Sequence, residues 1–404
     1  MKRFLAVLLG AVIAAAFLGP GTITTAARAG ASHGFALLWT LAFATVACLV
    51  LQEASARLTI VSGLNLGEAL ARRNASGLRR WLVLGLVAGA IIVGCAAYEA
   101  GNILGGVAGA ELAFPGSRTF WTLLSVVAAG TMLWLGSTRV VVTVLSALVA
   151  VMGTAFMVTA VLVAPPLDEL LGGFWPQWPE NGGLLVLGLV GTTVVPYNLF
   201  LGSGLARGQK LNEMRFGLAV AILLGGLISM AVLVVGAAIT TEFSFSAIAE
   251  TLASRLGSWA EVFFAAGLFA AGFSSAITAP LAAAITARSV LHPAGGDEEI
   301  PTEWRDQGRN YRAVWIGVLL VGAFFGVTGI KPIPVIIFAQ ALNGVLLPVV
   351  AVFLLVTVND RDLLGDERNG PLANAVLGVV VLLTILLGLR SLTGAWGSLT
   401  QLFS

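Results

Sequence analysis

Charge is what this 404-residue chain has least of, with Asp, Glu, Lys and Arg together at 10%. A soluble domain of this length needs far more charge to cover its surface, so a freely soluble globule is excluded. No basic block is longer than a pair, and a net charge of +2 gives no footing for nucleic acid. Only two cysteines occur, Cys48 and Cys95, both inside apolar runs. They read as small core residues, which excludes a disulfide framework and a cysteine metal pair. The two histidines, His33 and His292, fall at the ends of apolar runs, so no imidazole is left within those runs to shuttle protons. What fills the chain instead is hydrophobic residues, at 58% with a mean hydropathy of +0.97. That is the composition of a polytopic membrane protein.

Apolar stretches long enough to cross a bilayer fall at about 5–27, 34–60, 82–112, 119–138, 140–163, 184–206, 214–241, 258–288, 311–329, 333–358 and 371–391. The start, Met-Lys-Arg followed by an apolar run, mimics a signal peptide. The run continues past Gly21 without a cleavage site, so it reads as span 1. With a cytoplasmic N-terminus, all but five of the 22 Lys and Arg residues lie inside, the exceptions being Arg28, Arg118, Arg255, Lys331 and Arg390. The positive-inside bias therefore places the N-terminus in the cytoplasm and, after eleven spans, the C-terminus outside. The acidic and basic stretch from Pro293 to Asn310 reads as a cytoplasmic loop. The segment 164–183 reads as an external loop with interfacial Trp175 and Trp178.

Two spans are interrupted by Gly/Pro signals in corresponding places: Gly19-Pro20-Gly21-Thr22 in span 1 and Val195-Pro196-Tyr197-Asn198 in span 6. A broken helix frees backbone N–H and C=O groups, tolerated in a bilayer only where protein or a water-filled cavity satisfies them. Paired interruptions are the sequence mark of a carrier's midplane site. Spans 1–5 and 6–10 are two sets of five, each opened by a broken helix. Five is odd, so the second set enters from the opposite side. The expected fold is an all-α polytopic membrane protein with a LeuT-type 5+5 inverted repeat, broken helices 1 and 6, and about eleven transmembrane helices. One membrane domain covers 1–404, with a first repeat at about 1–163, a second at about 184–358 and an extra helix at about 371–391.

The stretches "GPGTITTAARAGASHGFALLW", "LQEASARLTIVSGLNLGEAL", "VVPYNLFLGSGLA", "AAGFSSAITAPLAA" and "FAQALNGVLLP" resemble the NRAMP family of metal-ion transporters. The resemblance implies an integral protein of a bacterial inner membrane that carries metal ions by alternating access, with no enzyme activity and no cofactor. It also implies an Asp-Pro-Gly-Asn motif in span 1 and a Met-Pro-His-Asn motif in span 6. Here the Asp position is Gly19, the Asn position Thr22, the Met position Val195 and the His position Tyr197. Only Pro20, Gly21, Pro196 and Asn198 keep the pattern. The residues that shape the backbone survive, and nearly all the metal-contacting side chains have gone.

Without a thioether at 195 the site loses its preference for transition metals, and without a carboxylate at 19 it loses the charge that offsets dehydration of a divalent ion. What remains is the hydroxyls of Thr22, Thr192 and Thr193, the Tyr197 phenol and the carbonyls freed by the breaks. A metal, if bound, falls in the region of Gly19, Thr22 and Thr192. In span 10, Gln340 and Asn343 lie three residues apart on one face, in a region from which the resemblance implies a glutamine ligand. In span 8, Ser274, Ser275 and Thr278 either line a path or let helices pack closely.

Glu99 lies in the middle of span 3, where a carboxylate is costly and a functional role is the default. The resemblance implies two acids of a proton route on this helix; Glu99 holds the first position and Asn102 the second. Glu53 precedes Arg57 by four residues near the cytoplasmic end of span 2, spacing for an ion pair or gate latch. Tyrosine titrates at about pH 10, so Tyr197 does not replace the missing imidazole. The residues therefore favour a hard ion such as Mg²⁺ as cargo, carried without proton coupling. A small polar or zwitterionic organic solute is the alternative, since other LeuT-type carriers hold such solutes with helix ends and hydroxyls. A third possibility is a sensor or scaffold that has lost transport. The partners expected are the lipid bilayer and, as substrate, a metal ion or small polar solute.

Overall fold

The computed structural model describes residues 19–74, 77–136, 139–292, 300–305 and 307–402. Among these, ten helices are long and apolar enough to cross a membrane. They match spans 2–11, and span 1 contributes the helix Pro20–His33, the rest of its run lying outside the described residues. The central part of the 293–310 loop also lies outside them. Large apolar side chains such as Leu82, Leu123, Val127, Phe216 and Leu320 stand exposed along the helices. In water such a girdle would drive aggregation; here it is the face that meets lipid.

The span 6 interruption is present and shorter than the sequence predicts; of the span 1 interruption, the side from Gly19 onward lies among the described residues. Helix Pro20–His33 starts directly after Gly19, whose backbone is extended, and Thr22 already donates its N–H to the Gly19 carbonyl at 3.1 Å. Span 6 runs as Gly183–Thr193, unwinds over Val194 and Val195, and restarts as Pro196–Leu205. The physical reason is the same on both sides. Proline at the first helical position has no N–H to leave unsatisfied and a φ already set for the helix, so winding begins at once. Of the two interruptions read from the sequence, Pro20 to Thr22 are therefore already helical, and Pro196 to Asn198 likewise, the unwound stretch of span 6 being Val194–Val195.

Packing follows the repeat. Span 1 lies against span 7 and span 6 against span 2; span 3 lies against span 10 and span 8 against span 5. Each pair maps onto its mate when spans 1–5 are exchanged for 6–10. Small residues bring these helices close: a Cβ on Gly272 would collide with the backbone of Gly106 and Asn102, and one on Gly236 with that of Ala27. Spans 3 and 8 thereby cross at the level of the two breaks.

Among the described residues, four short α-helices interrupt segments that the apolar pattern leaves as loops: Leu66–Arg73, Leu167–Gly172, Phe245–Leu256 and Arg361–Leu364. The first is started by a capping box, Asn65 accepting from the Glu68 N–H while Glu68 accepts from the Asn65 N–H. The third is started by Ser244, which accepts from the Ala247 N–H. Trp175 is exposed, and the Trp178 ring carries the Arg390 guanidinium at 4.3 Å.

Candidate functional site

The two prolines point the second half of span 1 and the second half of span 6 away from a shared level, with the end of Gly183–Thr193 arriving at the same place. Thr22 and Thr192 meet there, their hydroxyls 2.8 Å apart, and both are buried. Such a bond is worth about 1 kcal/mol and ties one break to the other. Gln340 lies on Gly21 so closely that any Cβ at position 21 would collide with its amide. Its Oε1 has no hydrogen-bond partner among the described residues. Gly21 is therefore glycine so that a span 10 amide can lie directly on the span 1 backbone. On the other flank the Pro20 ring packs on span 3, where a Cβ at Gly105 would strike it.

Gly19 faces a different wall. A Cβ there would stand 3.3 Å from the Tyr98 hydroxyl and 3.5 Å from the Ser275 hydroxyl. The Tyr98 ring meets Tyr197 edge to face, with centroids 5.5 Å apart and planes at 77°. Both tyrosines are buried, and the Tyr98 phenol oxygen has no hydrogen-bond partner among the described residues, while that of Tyr197 lies within reach of the Thr278 hydroxyl. Asn198 is buried too, with both amide atoms unpartnered there. Unpaired buried polar atoms are costly, and their accumulation around one break marks a place where something else is to be bound.

Of the residues expected to line the site, Gly19, Gly21, Thr22, Thr192, Tyr197 and Gln340 come together. Val195 is buried within the span 6 break itself. Thr193 turns away, its hydroxyl donating to the Leu189 carbonyl one turn back at 2.8 Å. Asn343 points at span 3, where its amide lies against Gly94. Ser274 and Thr278 donate to the carbonyls of Ala271 and Ser275 in their own helix. Tyr98 is the residue that sequence reasoning passes over. A signal existed: only three tyrosines occur in the chain, and two of them form this pair.

Glu99 is fully buried but faces span 9, where a Cβ on Gly322 would touch its Cγ. Asn102 donates to its Oε2 at 3.4 Å, and Oε1 has no partner among the described residues. Its Cγ thus packs on span 9, with Asn102 one turn on as the partner of the carboxylate. Among the described residues no three of His, Cys, Asp and Glu gather as a metal-binding group.

Glu53 forms the expected pair with Arg57 at 3.3 Å and a second with Arg215 at 2.8 Å. Arg57 extends the network, donating to the Glu367 carbonyl and the Asn369 side chain, while Asn369 continues to Asn374 at 3.1 Å. Two further pairs close the same end of the bundle: Arg207 with Glu68 at 2.7 Å and Arg73 with Asp360. All these groups lie at the end of the bundle that the charge bias assigns to the cytoplasm.

A family model described as natural resistance-associated macrophage protein-like matches residues 10–394. The divalent metal cation transporter MntH of Deinococcus radiodurans is 29% identical, over 95% of this chain and 89% of that protein. The protein of the same name from Bradyrhizobium diazoefficiens is 27% identical, over 95% of this chain and 88% of the relative. A solved mutant of the Eremococcus coleocola manganese transporter superposes with a TM-score of 0.75 at 19% identity, covering 96% of this chain and 86% of that one. The inward-facing conformation of Mhp1 superposes with a TM-score of 0.55 at 16% identity, over 99% of this chain and 92% of that one.

Proposed function

This chain belongs to the natural resistance-associated macrophage protein (Nramp) family, an integral membrane transporter and not an enzyme, and on that footing we propose that it carries a hard divalent ion such as Mg²⁺. The observation that carries the reading is the lining of the paired breaks. It offers hydroxyl, phenol, amide and backbone oxygens, with neither carboxylate at Gly19 nor thioether at Val195. Mg²⁺ dehydrates reluctantly and keeps several waters, which neutral oxygens hold well by hydrogen bonding. A stripped transition-metal ion would find neither the charge nor the softness it needs.

The cargo sits between Gly19, Thr22, Thr192, Tyr197 and Gln340, and the two repeats rock around it. The network centred on Arg57 holds the cytoplasmic end shut and parts for release. Within the single membrane domain the N-terminus is cytoplasmic and the C-terminus external, in a bacterial inner membrane. Transport is downhill, because the titrating groups expected at positions 19 and 197 are absent and Asn102 stands where a second span 3 acid is expected, leaving Glu99 alone. The Tyr98–Tyr197 ring pair favours one second reading, a small organic solute resting on an aromatic wall.

Liposomes holding both a Mg²⁺ indicator and a pH dye test the reading. Mg²⁺ uptake at an unchanged internal pH, in wild type and in Glu99→Gln alike, is the expected result. Internal acidification that tracks uptake and disappears in Glu99→Gln would make Glu99 the coupling residue and overturn downhill transport. Thermal stabilisation by an amino acid or other polar solute, with no Mg²⁺ uptake, would decide for the second reading.

A further inference from the structure

We propose that Tyr98 contacts the cargo and sets the selectivity of the site, its phenol oxygen standing in the space that a side chain at position 19 would fill. The inference rests on the hard-ion reading above and gives it a specific ligand. Three observations support it.

The first is the hydroxyl's isolation. Tyr98 is 0% exposed, yet its oxygen finds no hydrogen-bond partner among the described residues. A phenol that only filled the core would be better replaced by a phenylalanine, because a buried unpaired hydroxyl destabilises the fold. The second is its aim. Ideal Cβ placement on Gly19 falls 3.3 Å from this oxygen, tighter than ordinary contact, so oxygen and side chain compete for one volume. Glycine at 19 is then the complement of tyrosine at 98. Backbone geometry does not demand glycine, since Gly19 has φ −73° and ψ 171°, which any residue adopts.

The third is the support. Tyr197, in the first turn after the span 6 break, holds the Tyr98 ring edge to face at 5.5 Å. Ser275 of span 8 stands beside the same Gly19 position. Tyr98 thus links the Gly19 position of span 1 to the span 6 break, with span 8 on the same flank of Gly19. Phenol is a neutral oxygen group that accepts a hydrogen bond from metal-bound water or donates one to a bound anion. Toward a hydrated hard cation it acts as acceptor, which discriminates by hydration shell and not by softness.

Four full-length proteins test this: wild type, Tyr98→Phe, Gly19→Ala and the double variant, each measured for melting temperature and for Mg²⁺ binding by calorimetry. Tyr98→Phe is expected to leave the melting temperature unchanged or raised while weakening Mg²⁺ binding about tenfold, the loss of one hydrogen bond to a charged ligand shell. Gly19→Ala is expected to weaken binding in the wild-type background and to add little to Tyr98→Phe, since both act on the same oxygen. A fall in melting temperature with Mg²⁺ binding intact in Tyr98→Phe would make the residue structural and overturn the proposal. Independent, additive losses would overturn it as well. Absence of Mg²⁺ binding by the wild-type protein would instead overturn the hard-ion reading, and the proposed cargo contact with it.

Discussion

Restoring two side chains, Gly19→Asp with Val195→Met, is expected to raise Mn²⁺ affinity by about 100-fold, since it returns both a charged and a soft ligand to the break. The backbone can accept the aspartate, being extended at position 19, and among the described residues the Tyr98 and Ser275 hydroxyls are the close neighbours of its Cβ. Gain from the new carboxylate is limited by the cost of burying it and by its competition with the Tyr98 oxygen. Adding Tyr98→Phe is therefore expected to raise affinity further. Met at 195 replaces a branched, buried valine, and overpacking of this kind costs about 1–3 kcal/mol. Melting temperature should fall while Mn²⁺ affinity rises, and calorimetry on the folded variant separates the two. A folded double variant with unchanged Mn²⁺ affinity would mean that the breaks do not form the binding site.

Removing the arginine at the centre of the ion-pair network, Arg57, is expected to have an effect of similar size. The Arg57 side chain is only 7% exposed and joins span 2 to the segment that follows span 10 through Glu367 and Asn369. Its loss leaves Glu53 paired with Arg215 but strips buried acceptors of a charged donor, at a cost of about 3 kcal/mol to the closed arrangement. Hydrogen exchange at amides of residues 358–374 should accelerate about 100-fold in Arg57→Ala. Arg57→Lys, which keeps the charge without the planar fork, should fall between the two. Exchange that is unchanged in Arg57→Ala would show that the network does not hold this end shut.

The membrane spans and both interruptions are legible in the sequence, because apolar length and Gly/Pro punctuation are local signals. So is the Glu53–Arg57 pair, which needs only helical spacing. The extent of each break is not: Pro20 and Pro196 read as disruptors, whereas at the first helical position they start the helix. Helix Leu66–Arg73 hides in a polar stretch, though Asn65 and Glu68 already spell a capping box. Tyr98 escapes for a different reason. Its importance comes from Gly19 and Tyr197, which lie on two other spans, and no pattern along span 3 reveals that meeting. Thr193 shows the reverse error, a hydroxyl at the right sequence position that the helix takes for its own carbonyl.

The paired breaks, read as an oxygen-lined site without a transition-metal ligand set, should refuse Mn²⁺. The most direct test is Mn²⁺ titration of the wild-type protein by calorimetry, with anomalous diffraction from a Mn²⁺-soaked crystal of the same protein. No submicromolar binding and no anomalous peak between Gly19, Thr22, Thr192 and Val195 are expected. Submicromolar affinity with a peak at that position would contradict that reading.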